Sequence, residues 1–312
     1  MPQALHPLRP TTAARRILRA MLTAIDHIIV AAPDCEAAAA PFQRLGLTTW
    51  PRTRHLVGTE NAGFMIGDDP KSMFYVELLG THDREATAAT PRVQRLLESI
   101  DATPGALRIM FEVTDLVKIA RRLGSADIAA ETAEVKREDG ELICNVIVPL
   151  DSSRFGCEVG FVQYARTRDE SFAARQARDA FAHELPLKRL DHLAVIAPQL
   201  GVTTSNWDEI LDVRLHGTVK GRGMIINQLK IGDAIVELLG LDSADSPLAS
   251  RPAGLISMAA FEVADLPAAV EHARARGFTI SDPAPGALPG THTATISGDQ
   301  ASGLSVQLLQ YV

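Results

Sequence analysis

The sequence predicts an α+β protein built from four copies of one βαβββ module, and three repeated phrases carry that reading. The stretch IDHIIVAAP at 25–33 returns almost letter for letter as LDHLAVIAP at 190–198. FYVELLG, ending at Gly80, returns as AIVELLG, ending at Gly240. MFEVTDL at 110–116 returns as AAFEVADL at 259–266 and marks two further units. Apolar runs rich in Ile and Val that stop at Pro or Gly read as buried strands closed by a breaker. Repetition on this scale is the mark of internal duplication.

Taken in order, residues 1–20 hold Arg9, Arg15, Arg16 and Arg19 with no acid, and Pro2, Pro7 and Pro10. This composition resembles an organellar presequence; the preferred reading is a basic tail outside the fold, or a chain that truly begins at Met21. The first domain is expected over 21–164, with modules at 21–84 and 105–164. After its first strand, Asp34 is placed to cap a helix over 35–45, with Pro41 inside it and Gly46 as its stop. A turn at 54–61, a strand over 62–66 and the VELLG strand follow, then a helix over 92–100. The second module has strands at 107–113, 142–148 and 156–162, and a helix over 116–123 capped by Asp115. Residues 166–184 are charged and alanine-rich with helical spacing, which predicts a linker helix within 165–187.

The second domain is expected over 188–312, with modules at 188–241 and 254–312. Its strands fall at 190–196, 224–231, 234–239, 256–263, 293–297 and 304–310. A weak helix is expected over 207–211 and a stronger one over 266–276, capped by Asp265 with Pro267 in its first turn.

Bulk properties narrow the function. A length of 312 residues suits two domains, and 46% hydrophobic content suits a full core. A formal charge of −7 argues against a nucleic-acid partner, because phosphate binding needs a basic face. No apolar run approaches a membrane span. Three cysteines, Cys35, Cys144 and Cys157, without close spacing suggest reduced thiols in a cytoplasmic protein. A buried imidazole needs partners for both nitrogens, so His27 and His192 inside apolar strands demand explanation. Each half also places one acid, Glu77 or Glu237, on a second apolar strand. Burying both kinds of group costs free energy unless they have partners or work to do. Cys157 should point away from its neighbour Glu158 and pack in the core. His82, His183, His216, His272 and His292 lie in polar stretches and are assigned no role.

DHI or DHL in a first strand and VELLG in a last strand, across four modules, resemble the vicinal oxygen chelate superfamily. That group contains glyoxalase I, methylmalonyl-CoA epimerase, fosfomycin-resistance proteins and extradiol dioxygenases, and the resemblance spans nearly everything after Met21. His55, Gly58, Thr59 and Asn61 also resemble a phrase of the uncharacterised glyoxalase-like domain proteins. The resemblance implies modules that close in pairs into half-open mixed β-barrels around a divalent metal ion (Fe, Mn, Zn, Ni or Co). The modules would pair first with second and third with fourth, or first with fourth and second with third; the long linker favours the former. The implied ligands are His27, Glu77 and Glu158. Arg108 stands where the family has a His, and a guanidinium cannot bind a cation; it is assigned to a substrate oxyanion, while His55 and Asn61 are either ordinary turn residues or line the cavity mouth. In the second half Met258 and Gln307 stand at the two corresponding places. Glu158 or Glu77 would act as base.

The implied function is a metal-dependent isomerase, epimerase or lyase on a small carboxylate- or carbonyl-bearing substrate, through an enolate. The alternatives are an extradiol-type ring-cleaving dioxygenase using Fe(II) or Mn(II), and a metal-free small-molecule binding or resistance protein. Barrel edges that pair between subunits add a homodimer to the expectations.

Overall fold

A computed structural model describes residues 21–102, 105–136, 140–197, 199–221, 223–243, 245–246 and 248–312; the basic tail at 1–20 lies outside the described residues. The first half opens with β1 (Leu22–Ala31), α1 (Cys35–Arg44), β2 (Trp50–Arg54), β3 (Thr59–Ile66) and β4 (Phe74–Thr81). Two helices, α2 (Arg84–Ala88) and α3 (Pro91–Ala102), lead into β5 (Gly105–Val113) and α4 (Leu116–Ser125). The half closes with β6 (Ala130–Lys136), β7 (Leu142–Pro149) and β8 (Glu158–Tyr164), and α5 (Arg168–Gln176) follows. The second half runs β9 (Arg189–Ile196), α6 (Leu200–Leu211), β10 (Leu215–Gly221), β11 (Met224–Ile231) and β12 (Ala234–Leu241). It ends with β13 (Ile256–Glu262), α7 (Leu266–Ala275), β14 (Ala284–Pro285), β15 (Thr291–Ile296) and β16 (Ser305–Tyr311).

These strands form two curled, mixed, eight-stranded half-barrels, ordered β2-β3-β4-β1-β5-β8-β7-β6 and β10-β11-β12-β9-β13-β16-β15-β14. Within each, the first strand of a module runs parallel to its last, as β1 does to β4 and β9 to β12. Neighbouring modules join through the antiparallel pairs β1–β5 and β9–β13. Pairing is therefore first with second and third with fourth.

The sequence reading missed β2, β6, β10 and β14, which are the four outermost strands of the two sheets. Edge strands lack the apolar signal because one flank meets water: four of the five residues of β2 are exposed, and β10 is mostly so. The linker helix ends at Gln176, short of the expected 184; beyond it Asp179 takes a positive φ of 54°. α6 starts earlier than expected, at Leu200, where Gln199 supplies no side-chain cap to announce it. The expected caps are present: Asp34, Asp115 and Asp265 accept from backbone N–H groups in the first turns of α1, α4 and α7. Pro41 sits inside α1 without ending it.

Strand alternation sorts side chains onto two faces. On the outer face Ile28, Val30, Val76, Leu78, Phe111 and Phe161 meet α1 and α4, and their second-half counterparts meet α6 and α7. All belong to one continuous core, so the halves are stacked through their helical sides. Trp207 of α6 is fully buried at that junction, packing edge-on against Phe111 and Phe155 and donating from its indole N–H to the Phe155 carbonyl at 2.9 Å. His272 also bridges the halves, its Nε2 lying 2.9 Å from the Leu45 carbonyl. His183 does similar work for the linker, reaching the Met65 carbonyl at 2.6 Å while accepting from the Thr48 N–H at 2.9 Å. Two histidines without an assigned role thus hold the fold together.

Because the core is shared, Trp207→Ala should destabilise the protein by about 3–5 kcal/mol. Denaturant unfolding followed by far-UV and near-UV circular dichroism should still give one coincident transition. Two separated transitions would show that the halves do not share their stability.

Candidate functional site

The inner face of the first half-barrel holds the ionisable groups. In the β1–β5 ladder Ile25 pairs with Phe111 and His27 with Met110, leaving Asp26 as an extra residue in a bulge. A bulge re-aims neighbouring side chains, and here it lets Asp26 and His27 touch: Nδ1 of the imidazole lies 2.6 Å from Asp26 Oδ2. On the other edge of the ring, Nε2 lies 3.5 Å from Glu77 Oε2 on β4. Glu77 is held from β3, where Asn61 donates to its Oε1 at 2.6 Å. Tyr75 stacks on the imidazole with ring centroids 4.2 Å apart.

Behind this row, Tyr164 donates to Asp26 Oδ2 at 2.8 Å, and the hydroxyls of Tyr164 and Tyr75 are 3.3 Å apart. Arg168 from α5 approaches Asp26 Oδ1 at 3.8 Å and is paired with Glu112. Burial pushes the Asp26 carboxyl up, but His27, through its hydrogen bond and charge, with Arg168 and Tyr164 behind it, outweighs burial and leaves it below the usual carboxylate range. Burial drives both tyrosines well above their ordinary range, so they remain neutral hydrogen-bonding groups.

A second cluster lies alongside. Arg108 on β5 is 4% exposed and pairs across the parallel ladder with Glu158 on β8. Its Nη2 is 3.6 Å from Glu158 Oε2, while Arg95 of α3 reaches Glu158 Oε1 at 3.3 Å. The Arg108–Glu158 contact is longer than a hydrogen bond, and buried Arg108 Nε and Glu158 Oε2 have no hydrogen-bond partner. Burial pulls the Arg108 pKa down, opposed by the charge of Glu158 and, more weakly, of Glu77. α3 itself lies on this inner face, its Leu96 packed with Ile29, Leu79 and Met110.

Residues 25–189 match the glyoxalase-like domain family, and residues 191–295 match the glyoxalase/bleomycin resistance protein/dioxygenase superfamily. The chain belongs to the vicinal oxygen chelate superfamily. Among solved structures, a hypothetical protein from Staphylococcus aureus is 14% identical with a TM-score of 0.61, covering 91% of this chain and 98% of its own. Methylmalonyl-CoA epimerase from Mycobacterium tuberculosis is 20% identical over 40% of this chain and 89% of its own, with a TM-score of 0.37. A single-residue variant of the Streptomyces coelicolor methylmalonyl-CoA epimerase, in complex with 2-nitronate-propionyl-CoA, is 22% identical over 40% of this chain and 99% of its own, with a TM-score of 0.37. These likenesses concern the fold. No curated protein matches the chain.

Members of the superfamily commonly use a divalent metal, and the donor set here can be tested against one. His27 and Glu77 face each other as two ligands would. Glu158, the expected third, is engaged by two guanidinium groups instead. Among the described residues no three His, Cys, Asp or Glu side chains converge as a metal-ligand group. Two guanidinium charges beside Glu158 oppose a third positive charge there, so the residues as placed do not bring together a three-ligand divalent site. Of the two residues assigned to the cavity mouth, Asn61 lies in the site. His55 instead closes the β2–β3 turn, its Nδ1 2.8 Å from Thr59 Oγ1. Cys157 lies in the outer-face core, as alternation requires, with burial raising its thiol pKa.

The second half-barrel repeats part of this arrangement. Asp191 sits in the equivalent bulge, 2.8 Å from His192 Nδ1; His192 Nε2 is 3.6 Å from Glu237, and Gln228 donates to Glu237 at 3.0 Å. Tyr311 donates to Asp191 at 2.6 Å, and Arg189 pairs with Asp191 and Glu262 as Arg168 does with Asp26 and Glu112. The correspondence expected between the halves needs one correction. In the ladder Met258 pairs with Ser305, as Arg108 pairs with Glu158, so Ser305 and not Gln307 is the counterpart of Glu158. The second half therefore lacks the whole Arg–Glu pair.

Sequence reasoning missed Asp26, Tyr164, Arg168 and their second-half equivalents. One signal was present: Gln-Tyr ends both β8 and β16, at 163–164 and 310–311. In each case the Gln side chain accepts from the first N–H of a helix, Leu116 or Leu266, and the Tyr donates to the bulge Asp.

His192 gives a pH prediction. Burial opposes its charge, but Glu237 first and then Asp191 raise its pKa above the usual value near 6.5. A group raised in the folded state stabilises fully below its unfolded pKa and loses that contribution as pH rises through the folded one. Stability in urea melts should therefore fall from about pH 6.5 upward. His192→Gln should flatten that slope; an unchanged slope would place its origin elsewhere.

Proposed function

We propose that the inner face of the first half-barrel binds a small carbonyl compound bearing a carboxylate and moves a proton at the carbon next to the carbonyl. The observation that carries this reading is the buried, unpartnered Nε of Arg108 beside the His27–Glu77 pair. A guanidinium edge with a free N–H donor is matched by a planar carboxylate, which accepts two parallel hydrogen bonds. That contact would hold the substrate with its reactive carbon toward Glu77.

Asn61 occupies Glu77 Oε1 and leaves Oε2 facing the imidazole. Oε2 is therefore the oxygen that accepts the proton from carbon, and the C–H electron pair passes into the substrate's enolate. Asp26 accepts from Nδ1 and so orients the ring with Nε2 toward the reacting centre; a proton carried on Nε2 is donated to the developing enolate oxygen. Return of the proton to either face of the carbon, or departure of a leaving group, gives epimerisation, isomerisation or lyase chemistry. α3 covers part of this face, its Leu96 packed with Ile29, Leu79 and Met110.

The experiment is proton exchange in D2O. A panel of small 2-oxo and 3-oxo acids is followed by NMR for enzyme-dependent loss of the α-proton signal. His27→Ala and Glu77→Gln should each slow exchange by about 100-fold or more, with circular dichroism unchanged. Full exchange in either variant would end this assignment. Binding of the same acids without exchange would support the binding-protein reading in its place.

A further inference from the structure

The loose contact between Arg108 and Glu158 has an unusual setting. A buried ion pair normally repays desolvation through close, well-aligned hydrogen bonds, yet here the pair stands 3.6 Å apart with Arg108 Nε and Glu158 Oε2 both buried and unpartnered. The second cation on Glu158, Arg95, comes from α3 and not from the barrel wall. α3 buries Leu96 fully and is fastened by Arg92 to Glu131 at 2.7 Å, by Asp101 to Arg84 at 2.7 Å and by Arg95 to Glu158 at 3.3 Å. In the second half, where Met258 and Ser305 replace the Arg–Glu pair, no helix stands between β12 and β13 among the described residues. Among the described residues, pair and covering helix occur together in the first half and both are absent from the second.

We propose that Glu158 is an internal stand-in for the substrate's carboxylate, and that Arg95 is a specificity-determining residue that changes partner from Glu158 to the incoming anion. This rests on the reading that Arg108 binds a substrate carboxylate, and adds to it what fills that place beforehand. Arg95 also reaches Glu98 of its own helix at 3.4 Å, so it can leave Glu158 without losing every partner, whereas Arg108 keeps a buried Nε with no acceptor. A small carboxylate ligand supplies the acceptor oxygens that Arg108 Nε lacks. Arg95, whose side chain is half exposed, then turns from Glu158 to the ligand while α3 stays anchored through Arg92 and Asp101. Displaced from both arginines, Glu158 becomes a free carboxylate beside the substrate.

The test measures malonate binding by isothermal titration calorimetry on the full chain, with thermal melts in parallel. Glu158→Gln keeps the shape of the side chain and removes its charge, so malonate should bind about tenfold tighter or better than to the unmodified protein. Adding Arg95→Met to Glu158→Gln should reverse most of that gain. If Glu158→Gln folds poorly alone, malonate should restore its melting temperature, and the double variant, with one fewer cation beside position 158, should fold without it. Unchanged or weaker binding by Glu158→Gln, with binding still lost in Arg108→Met, would overturn the stand-in while leaving the carboxylate site intact. A gain that survives Arg95→Met would remove Arg95 from the proposal. Binding that is the same in Arg108→Met as in the unmodified protein would overturn both the stand-in and the site it rests on.

Discussion

The contact between Asp26 and the Nδ1 edge of His27 governs the rest of the first half-barrel. Two adjacent residues of a regular strand point to opposite faces, so the contact exists because a bulge in β1 turns them to the same side. Once both groups are buried on that face, each remaining charge needs compensation. Tyr164 and Arg168 answer Asp26, Asn61 and the imidazole answer Glu77, and Arg95 and Arg108 answer Glu158. The inner face is a sequence of pairings that runs from α5 at one side to α3 at the other.

The two halves show which parts of that sequence belong to the fold. Tyrosine, bulge aspartate, histidine, glutamate and an amide side chain recur in both, with similar distances. A buried network is stable only when each member is satisfied, and duplication has kept this one as a unit. Among the described residues, the Arg108–Glu158 pair and α3 are present in the first half alone. That asymmetry, more than the shared network, distinguishes the inner faces of the two half-barrels.

Much of the fold was legible, and the misses have a common cause. β1, β4, β9 and β12 announced themselves because both of their faces are buried and their apolar runs are nearly continuous. The edge strands did not, because β2 and β10 carry polar residues toward solvent. His27, Glu77 and Arg108 were visible as ionisable residues inside apolar strands. Asp26 was printed beside His27, as Asp191 was beside His192, yet a strand read with strict alternation places it on the opposite face. The error over Gln307 has the same origin, since only the ladder sets the offset between β13 and β16.

The sequence by itself determined the fourfold repeat, the helix caps and the residues that had to be explained chemically. Those are local matters: periodicity, capping geometry and the cost of burying a polar group all act within a few residues or recur at fixed spacing. The tertiary structure decided which modules share a sheet, where bulges fall, and that Arg95 from a covering helix faces Arg108 across a carboxylate. Such outcomes depend on strand register and on charges brought together from distant parts of the chain. An ion pair has no pattern in sequence until folding removes the water that would have kept its partners apart.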